Sequence, residues 1–171
     1  MPDRRAKLDT AQHALLLAAH QLGLVAIAQG AADVALDRAT GYASLRRQGG
    51  QAIIGYDAVA LMVADQVTAL RSVETQIAAA SHQPNTYELA TSLVVSRNAM
   101  PMLSTATDCA MQIHGGSGYM RDTGVEHLLR DVNSLRAIGG ASDDLGLILS
   151  ALLNPEASIH TSPESTQQIA G

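Results

Sequence analysis

The chain contains no phenylalanine and no tryptophan, and four tyrosines are its only residues of the Phe/Trp/Tyr class. Alanine, leucine and valine carry the apolar mass instead. Such small side chains let backbones approach closely, which predicts tightly packed helices rather than a sheet. Charge is also sparse, with 11 basic and 16 acidic residues and a net charge of −5. A nucleic-acid-binding protein normally presents a clustered basic face. Here the arginines are scattered, so that class is excluded. One cysteine, Cys109, rules out an internal disulfide and fits a reducing compartment. With no activating base near it in sequence, Cys109 reads as a small core residue. Long apolar runs are missing too. The most apolar stretch, residues 14–28, is interrupted by His20, Gln21 and Gly23, and falls short of the roughly 20 apolar residues of a membrane span. Met1-Pro2-Asp3-Arg4-Arg5 is not followed by the apolar segment of a secretory signal. These absences predict a soluble, cytoplasmic protein with no membrane and no nucleic-acid partner.

What is present is helical punctuation. A first helix is expected from residue 8 or 9 to about 45, with Asp9 or Thr10 as N-cap. Apolar residues lie almost all round it, as in the interior of a bundle. Gly23 and Gly30 each weaken it by about 1 kcal/mol relative to alanine, and read as points of close helix crossing. Gln48-Gly49-Gly50 signals a turn. A second helix follows over residues 56–81, where Val59, Met62, Val63, Val67, Leu70, Val73 and Ile77 form one stripe. The segment from His82 to Asn85 ends it.

Asn85 or Thr86 is expected to cap a third helix to about residue 113, with Glu88 in its first turn. Leu89, Leu93, Ala99, Leu103, Ala106 and Ala110 face inward, and Pro101 kinks it. Gly115 and Gly116 stop this helix. A short helix over residues 124–132, a tight turn at Gly139-Gly140, and a last helix capped by Ser142 to about residue 153 complete the pattern. No alternating run demands a strand. The fold class is all-α: an antiparallel, up-and-down four-helix bundle with short extra helices over residues 1–153. Residues 154–171 read as a polar, disordered tail.

Three separated pieces share one register. The first is Tyr42-Ala43-Ser44-Leu45-Arg46-Arg47-Gln48-Gly49-Gly50-Gln51-Ala52-Ile53. The second is Gln112-Ile113-His114-Gly115-Gly116-Ser117-Gly118-Tyr119. The third is Val125-Glu126-His127-Leu128-Leu129-Arg130-Asp131, followed by Gly140-Ala141-Ser142. Together they resemble the C-terminal helical domain of the FAD-dependent acyl-CoA dehydrogenases. The resemblance covers residues 10–153. Complete members of that family carry an N-terminal helical domain and a middle β-domain before it, and neither is recognisable in this sequence.

The resemblance implies α,β-dehydrogenation of acyl-CoA thioesters, with a glutamate taking the α-proton and FAD accepting hydride. It implies that Arg46 contacts the FAD pyrophosphate, with Gln48 bonded nearby, since an arginine fork matches phosphate oxygens. Read alone, Arg46 is also an ordinary solvated helix-end residue. The resemblance further implies that Gln112, Gly115 and Gly116 let the backbone approach the cofactor, while they equally read as a helix C-cap. It also implies a cofactor contact at Ser142, which equally reads as a plain helix cap. His114 reads as a helix-end histidine, and the Arg130–Asp131 pair as structural. Implied partners are a homo-oligomer, dimer or tetramer, or a hetero-oligomer with a base-carrying subunit.

The pattern breaks at informative places. Gly49 stands where the family keeps phenylalanine, and Asp57 where it keeps a glutamine near FAD. Gly139 stands at the position of the catalytic glutamate. In some branches the base sits on the first long helix, and that position is His20 here. His20 reads either as a weak candidate base or as a packed core histidine. Gly139 retains only a backbone N–H, which could polarise a thioester. The expectation is therefore a C-terminal domain or subunit contributing FAD contacts and an oligomer interface, inactive alone. The alternative is a non-catalytic helical assembly module that has lost its base.

Overall fold

The computed structural model describes residues 9–81 and 88–154. Helix α1, Thr10–Leu45, opens on a capping box: Asp9 accepts from the Gln12 N–H at 2.7 Å, and the Gln12 side chain accepts from the Asp9 N–H at 3.0 Å. Its buried stripe is built largely of alanine. Ala18, Ala28, Ala32, Ala35, Ala39 and Ala43 are all fully or almost fully enclosed. A hairpin follows, with β1 (Arg47–Gln48) paired antiparallel to β2 (Gln51–Ala52). This two-stranded element is the one departure from an all-helical reading. Gly49 and Gly50, at φ +56° and +89°, supply the left-handed turn that joins its strands.

A short 3-10 turn at Ile53–Gly55 leads into α2, Asp57–Ser81. Helix α3, Leu89–His114, runs on through Pro101. Then come two 3-10 turns, Gly115–Tyr119 and Arg121–Thr123, followed by α4, Val125–Gly139, and α5, Ser142–Leu153. The core is organised around α1 and α3, which pack on each other most extensively, while α2 and α4 each pack against both of them. Contacts fix the directions. Gln21 meets Ser96 and Tyr42 meets His114, so α1 and α3 run parallel. Gln21 also meets Gly139, and Arg38 meets Thr123, so α4 runs antiparallel to α1. Helix α2 is antiparallel to α3, since Met62 lies near Cys109 and Gln76 near Asn98. This is the expected up-and-down bundle with one short extra helix.

Several expectations need correction. Adding a Cβ at Gly23 or Gly30 meets nothing within 4 Å, so neither marks a helix crossing within this chain. Val67 is 41 % exposed, and the neighbouring Gln66 takes the buried place in the α2 stripe. The Asn85 and Thr86 caps lie outside the described residues, as does the tail beyond residue 154. Glu88 is the N-cap position of α3 rather than a first-turn residue. Helix α4 extends to Gly139 because packing continues along it: Val132 is fully buried, and Ser104 donates to Asn133 at 2.7 Å. Ala141, not Ser142, is the N-cap of α5. Helix α1 is also long and apolar enough to cross a membrane by length and composition, contrary to the reading of residues 14–28. Its buried residues run along most of its length, as a bundle core helix requires.

Candidate functional site

The candidate residues fall at two ends of the bundle. Arg46 caps the C-terminal end of α1 and Gln21 lies a third of the way from its N-terminal end, roughly 37 Å away at about 1.5 Å of rise per residue.

At the first end, the C-termini of α1 and α3 meet the N-termini of α2 and α4. Arg46 is the C-cap of α1, and its backbone is held on both sides. Its N–H donates to the Tyr42 carbonyl at 2.8 Å, and its carbonyl accepts from the Ile53 N–H at 2.8 Å. No group among the described residues pairs with its guanidinium. Gln48 lies on β1, one residue from the turn. Helix α3 ends at His114. Gly115 follows at φ +55°, a conformation that only glycine adopts without strain, and its N–H donates to the Gln112 carbonyl. Both Gly115 and Gly116 face open space where a side chain would stand.

These segments enclose one pocket of about 670 Å³, lined by Arg46, Gln48, Gln112, Gly115 and Gly116. Five sequence-predicted residues thus converge on a single concavity. No carboxylate among the described residues lines it. Asp57 is not among its walls. Instead Asp57 begins α2, where its charge complements the helix dipole.

One wall of this pocket was not foreseen as a unit. Tyr42 and His114 stack with ring centroids 4.6 Å apart and planes at 24°. The His114 Nδ1–H donates to the Ala110 carbonyl at 2.8 Å, and Tyr42 shares a 3.3 Å hydrogen bond with Ser117. His114 is only 5 % exposed, so it is a built part of the wall rather than a bystander at a helix end. Tyr56 completes the aromatic lining. A pocket with one unpaired guanidinium, two amide side chains and glycine-lined backbone can hold a phosphate or pyrophosphate group.

At the second end the buried polar groups bond one another. Gly139 is buried in the last turn of α4, so its N–H points back along the helix toward the preceding turn rather than outward to a thioester. Its carbonyl accepts from Gln21 Nε2 at 2.8 Å, and Gln21 Oε1 accepts from the Ser96 hydroxyl at 2.7 Å. Gln21 and Ser96 are 2 % and 1 % exposed, so this is a satisfied buried network. Composition gave no signal for it. His20, next to Gln21, is exposed, not a packed core residue. Ser142 is the first residue of α5; its carbonyl accepts from Arg97 Nε at 3.1 Å, and it takes no part in the pocket. Arg130 pairs with Glu126 one turn back at 2.8 Å, not with Asp131, and both lie within α4 rather than at a loop.

Elsewhere, a cleft of about 290 Å³ opens between α2 and α3 beside Pro101 and Cys109. Burial pushes the Cys109 thiol above its ordinary range, and the nearby Asp65 charge adds to this. That is the opposite of an activated nucleophile. No cluster of metal-ligating side chains occurs among the described residues.

The chain is 33 % identical over 138 residues to a probable acyl-CoA dehydrogenase, YngJ, of Bacillus subtilis, covering 78 % of this chain and 36 % of that protein. It is 30 % identical over 135 residues to the caffeyl-CoA reductase-Etf complex subunit CarC of Acetobacterium woodii, with the same coverage of 78 % and 36 %. The chain therefore spans little more than a third of the length of these relatives. Butyryl-CoA dehydrogenase from Megasphaera elsdenii superposes with a TM-score of 0.76 over 82 % of this chain and 37 % of that one, at 23 % identity, and so shares the fold. The sequence pattern described as "Acyl-CoA dehydrogenase, C-terminal domain" matches residues 9–152, and the chain belongs to that family.

Proposed function

We propose that this chain supplies one wall of an FAD site in an acyl-CoA dehydrogenase-like oxidoreductase, acting in an assembly with further protein. The observation that carries the reading is the convergence of Arg46, Gln48, Gln112, Gly115 and Gly116 on one pocket that no carboxylate lines. Arg46 would bind the pyrophosphate and the glycines would admit the cofactor to the backbone. Bound FAD supplies the hydride acceptor.

The separation of the two ends argues for more than one chain per site. A cofactor seated by Arg46 lies too far from Gly139 of the same chain to react there. A second copy, or a base-carrying partner subunit, would bring the two kinds of end together. Gly139 offers no carboxylate, and its N–H is committed to α4. Proton removal therefore falls to another group, with His20 an exposed imidazole on α1 next to Gln21. The same observation favours a second reading: a helical assembly module that binds no substrate.

The test is flavin titration of the purified protein, read by quenching of FAD fluorescence. Binding by wild type and its loss in Arg46→Gln supports the first reading. No binding by wild type leaves the assembly module. Turnover of an acyl-CoA by the 171-residue chain alone would overturn the claim that it furnishes only part of a site.

A further inference from the structure

We propose that the cleft between α2 and α3 is a second binding site, for a small organic cation: an alkylammonium ion whose N–H groups meet the Gln66 amide oxygen and the Asp65 carboxylate while its hydrocarbon lies on the cleft walls. The site is distinct from the Arg46 pocket and does not depend on the flavin reading. Three observations carry it.

The first is an orphaned acceptor. Gln66 lines this cleft of about 290 Å³, yet it is only 2 % exposed. It stands in the buried stripe of α2, where an apolar side chain would pack without losing hydration of a polar group. Its Nε2 donates to the Met62 carbonyl at 3.2 Å. Its Oε1 is buried and accepts no hydrogen bond among the described residues. A buried polar atom left unpaired is unfavourable and uncommon, and a donor brought by a ligand would satisfy it.

The second is the sign of what is left over. Each side-chain donor group on the walls already bonds a carbonyl of this chain. Thr105 Oγ1 donates to the Pro101 carbonyl at 3.0 Å, and the Cys109 thiol donates to the Met62 carbonyl at 3.5 Å. The unspent groups, Gln66 Oε1 and the Asp65 carboxylate, are both acceptors, and no cation among the described residues pairs with Asp65. The Asp65 charge is felt inside the cleft: burial first, and Asp65 next, hold the Cys109 thiol above its ordinary range. Two acceptors, one of them charged, favour an N–H cation over an alcohol and reject a carboxylate.

The third is the rest of the lining. Ala69, Pro101, Met102 and Ala106 offer apolar surface to a short hydrocarbon chain. Alanine on both helices, at 69 and 106, leaves the gap that larger side chains would fill.

Cys109 provides the readout, because it is the chain's only thiol and a wall of the cleft. The probe is n-hexylammonium, with n-hexanol and hexanoate as its neutral and anionic counterparts of equal length. On the full chain, near-saturating hexylammonium is expected to slow alkylation of Cys109 by iodoacetamide about tenfold. Hexanol at the same concentration should slow it about twofold, and hexanoate not at all. Asp65→Asn, a change at an exposed position, should reduce the hexylammonium effect to that of hexanol. Gln66→Leu, which suits the apolar stripe, should raise the half-saturating concentration of both about tenfold. Absence of protection by hexylammonium overturns the site. Equal protection by all three probes, or protection that neither substitution changes, overturns it as well. So does slow alkylation without any probe that quickens on dilution, which would show a second copy of the chain seated on the cleft. If Gln66→Leu fails to fold, Asp65→Asn and the ranking of the three probes decide.

Discussion

At the Arg46 end, polar groups are left with unspent capacity. At the Gly139 end, they are consumed internally. Among the described residues, nothing engages the Arg46 guanidinium or the open faces of Gly115 and Gly116. Gln21, Ser96 and the Gly139 carbonyl satisfy one another, and Arg97 Nε donates to the Ser142 carbonyl. Each end has its own apolar backing. Ala39, Ala43, Ile53, Ala110 and Val125 lie behind the pocket, and Leu22, Val25, Leu103 and Val132 lie toward Gly139. Unused donors on a rigid backing point to a ligand, whereas a closed network points to architecture. On the proposed function, the Arg46 end is the binding surface, while Gly139 is held within the scaffold by the Gln21 bond.

The largest expected effect tests whether the two ends are one structure. Leu103 is fully buried in the α1–α3 core. Leu103→Ala should cost about 2–5 kcal/mol, and both ends should be lost in a single urea transition. Separate transitions would mean that the ends are independent units.

Next is Gln21→Leu, which leaves the Ser96 hydroxyl and the Gly139 carbonyl without their partner. About 1–3 kcal/mol should be lost, with faster amide exchange in the last turn of α4 and unchanged FAD affinity. A drop in FAD affinity would break the claim that the ends are functionally separate.

A smaller loss is expected from Gly124→Ala at the pocket end. Gly124 has φ +63°, and an added Cβ would meet the Arg38 guanidinium. The left-handed conformation alone costs about 1–2 kcal/mol for a non-glycine residue. The cost should fall on the start of α4, seen as a lower melting temperature without loss of the Gln21 network.

The bundle and its pocket were legible because they rest on local signals. Asp9 with Gln12, the Gly49-Gly50 turn and the Gly115 cap each announce themselves within a few residues. The three family pieces share one register, and their residues Arg46, Gln48, Gln112, Gly115 and Gly116 line one pocket. The buried glutamines were not legible. Gln21 lies 118 positions from the Gly139 carbonyl it bonds, and no local pattern encodes that pairing. The Tyr42–His114 stack was missed for the same reason, because its two residues come from different helices. The Ser142 cap failed by a single position: the chain enters α5 one residue earlier, at Ala141.

The smallest effect concerns the outer face of α1, where the reading of Gly23 and Gly30 was overturned. Both glycines are exposed, and neither would bring a Cβ within 4 Å of another atom. In an exposed helix interior, glycine is worse than alanine by about 0.5–1 kcal/mol. Gly23→Ala and Gly30→Ala should therefore each stabilise the isolated chain by about that amount, with a rise in urea midpoint and unchanged m-value. The same substitutions sharpen the comparison in a second way. They lie on the helix that joins the two ends, and Leu16, Ile27, Val34 and Leu45 are exposed along it as well. If α1 is uncovered in solution, stability rises at every protein concentration. If a second helix seats on those glycines, added methyl groups prevent close approach, and the oligomer dissociates at sizing dilution while the monomer gains stability. Loss of stability in the monomer itself would show that the glycines serve this chain's own fold.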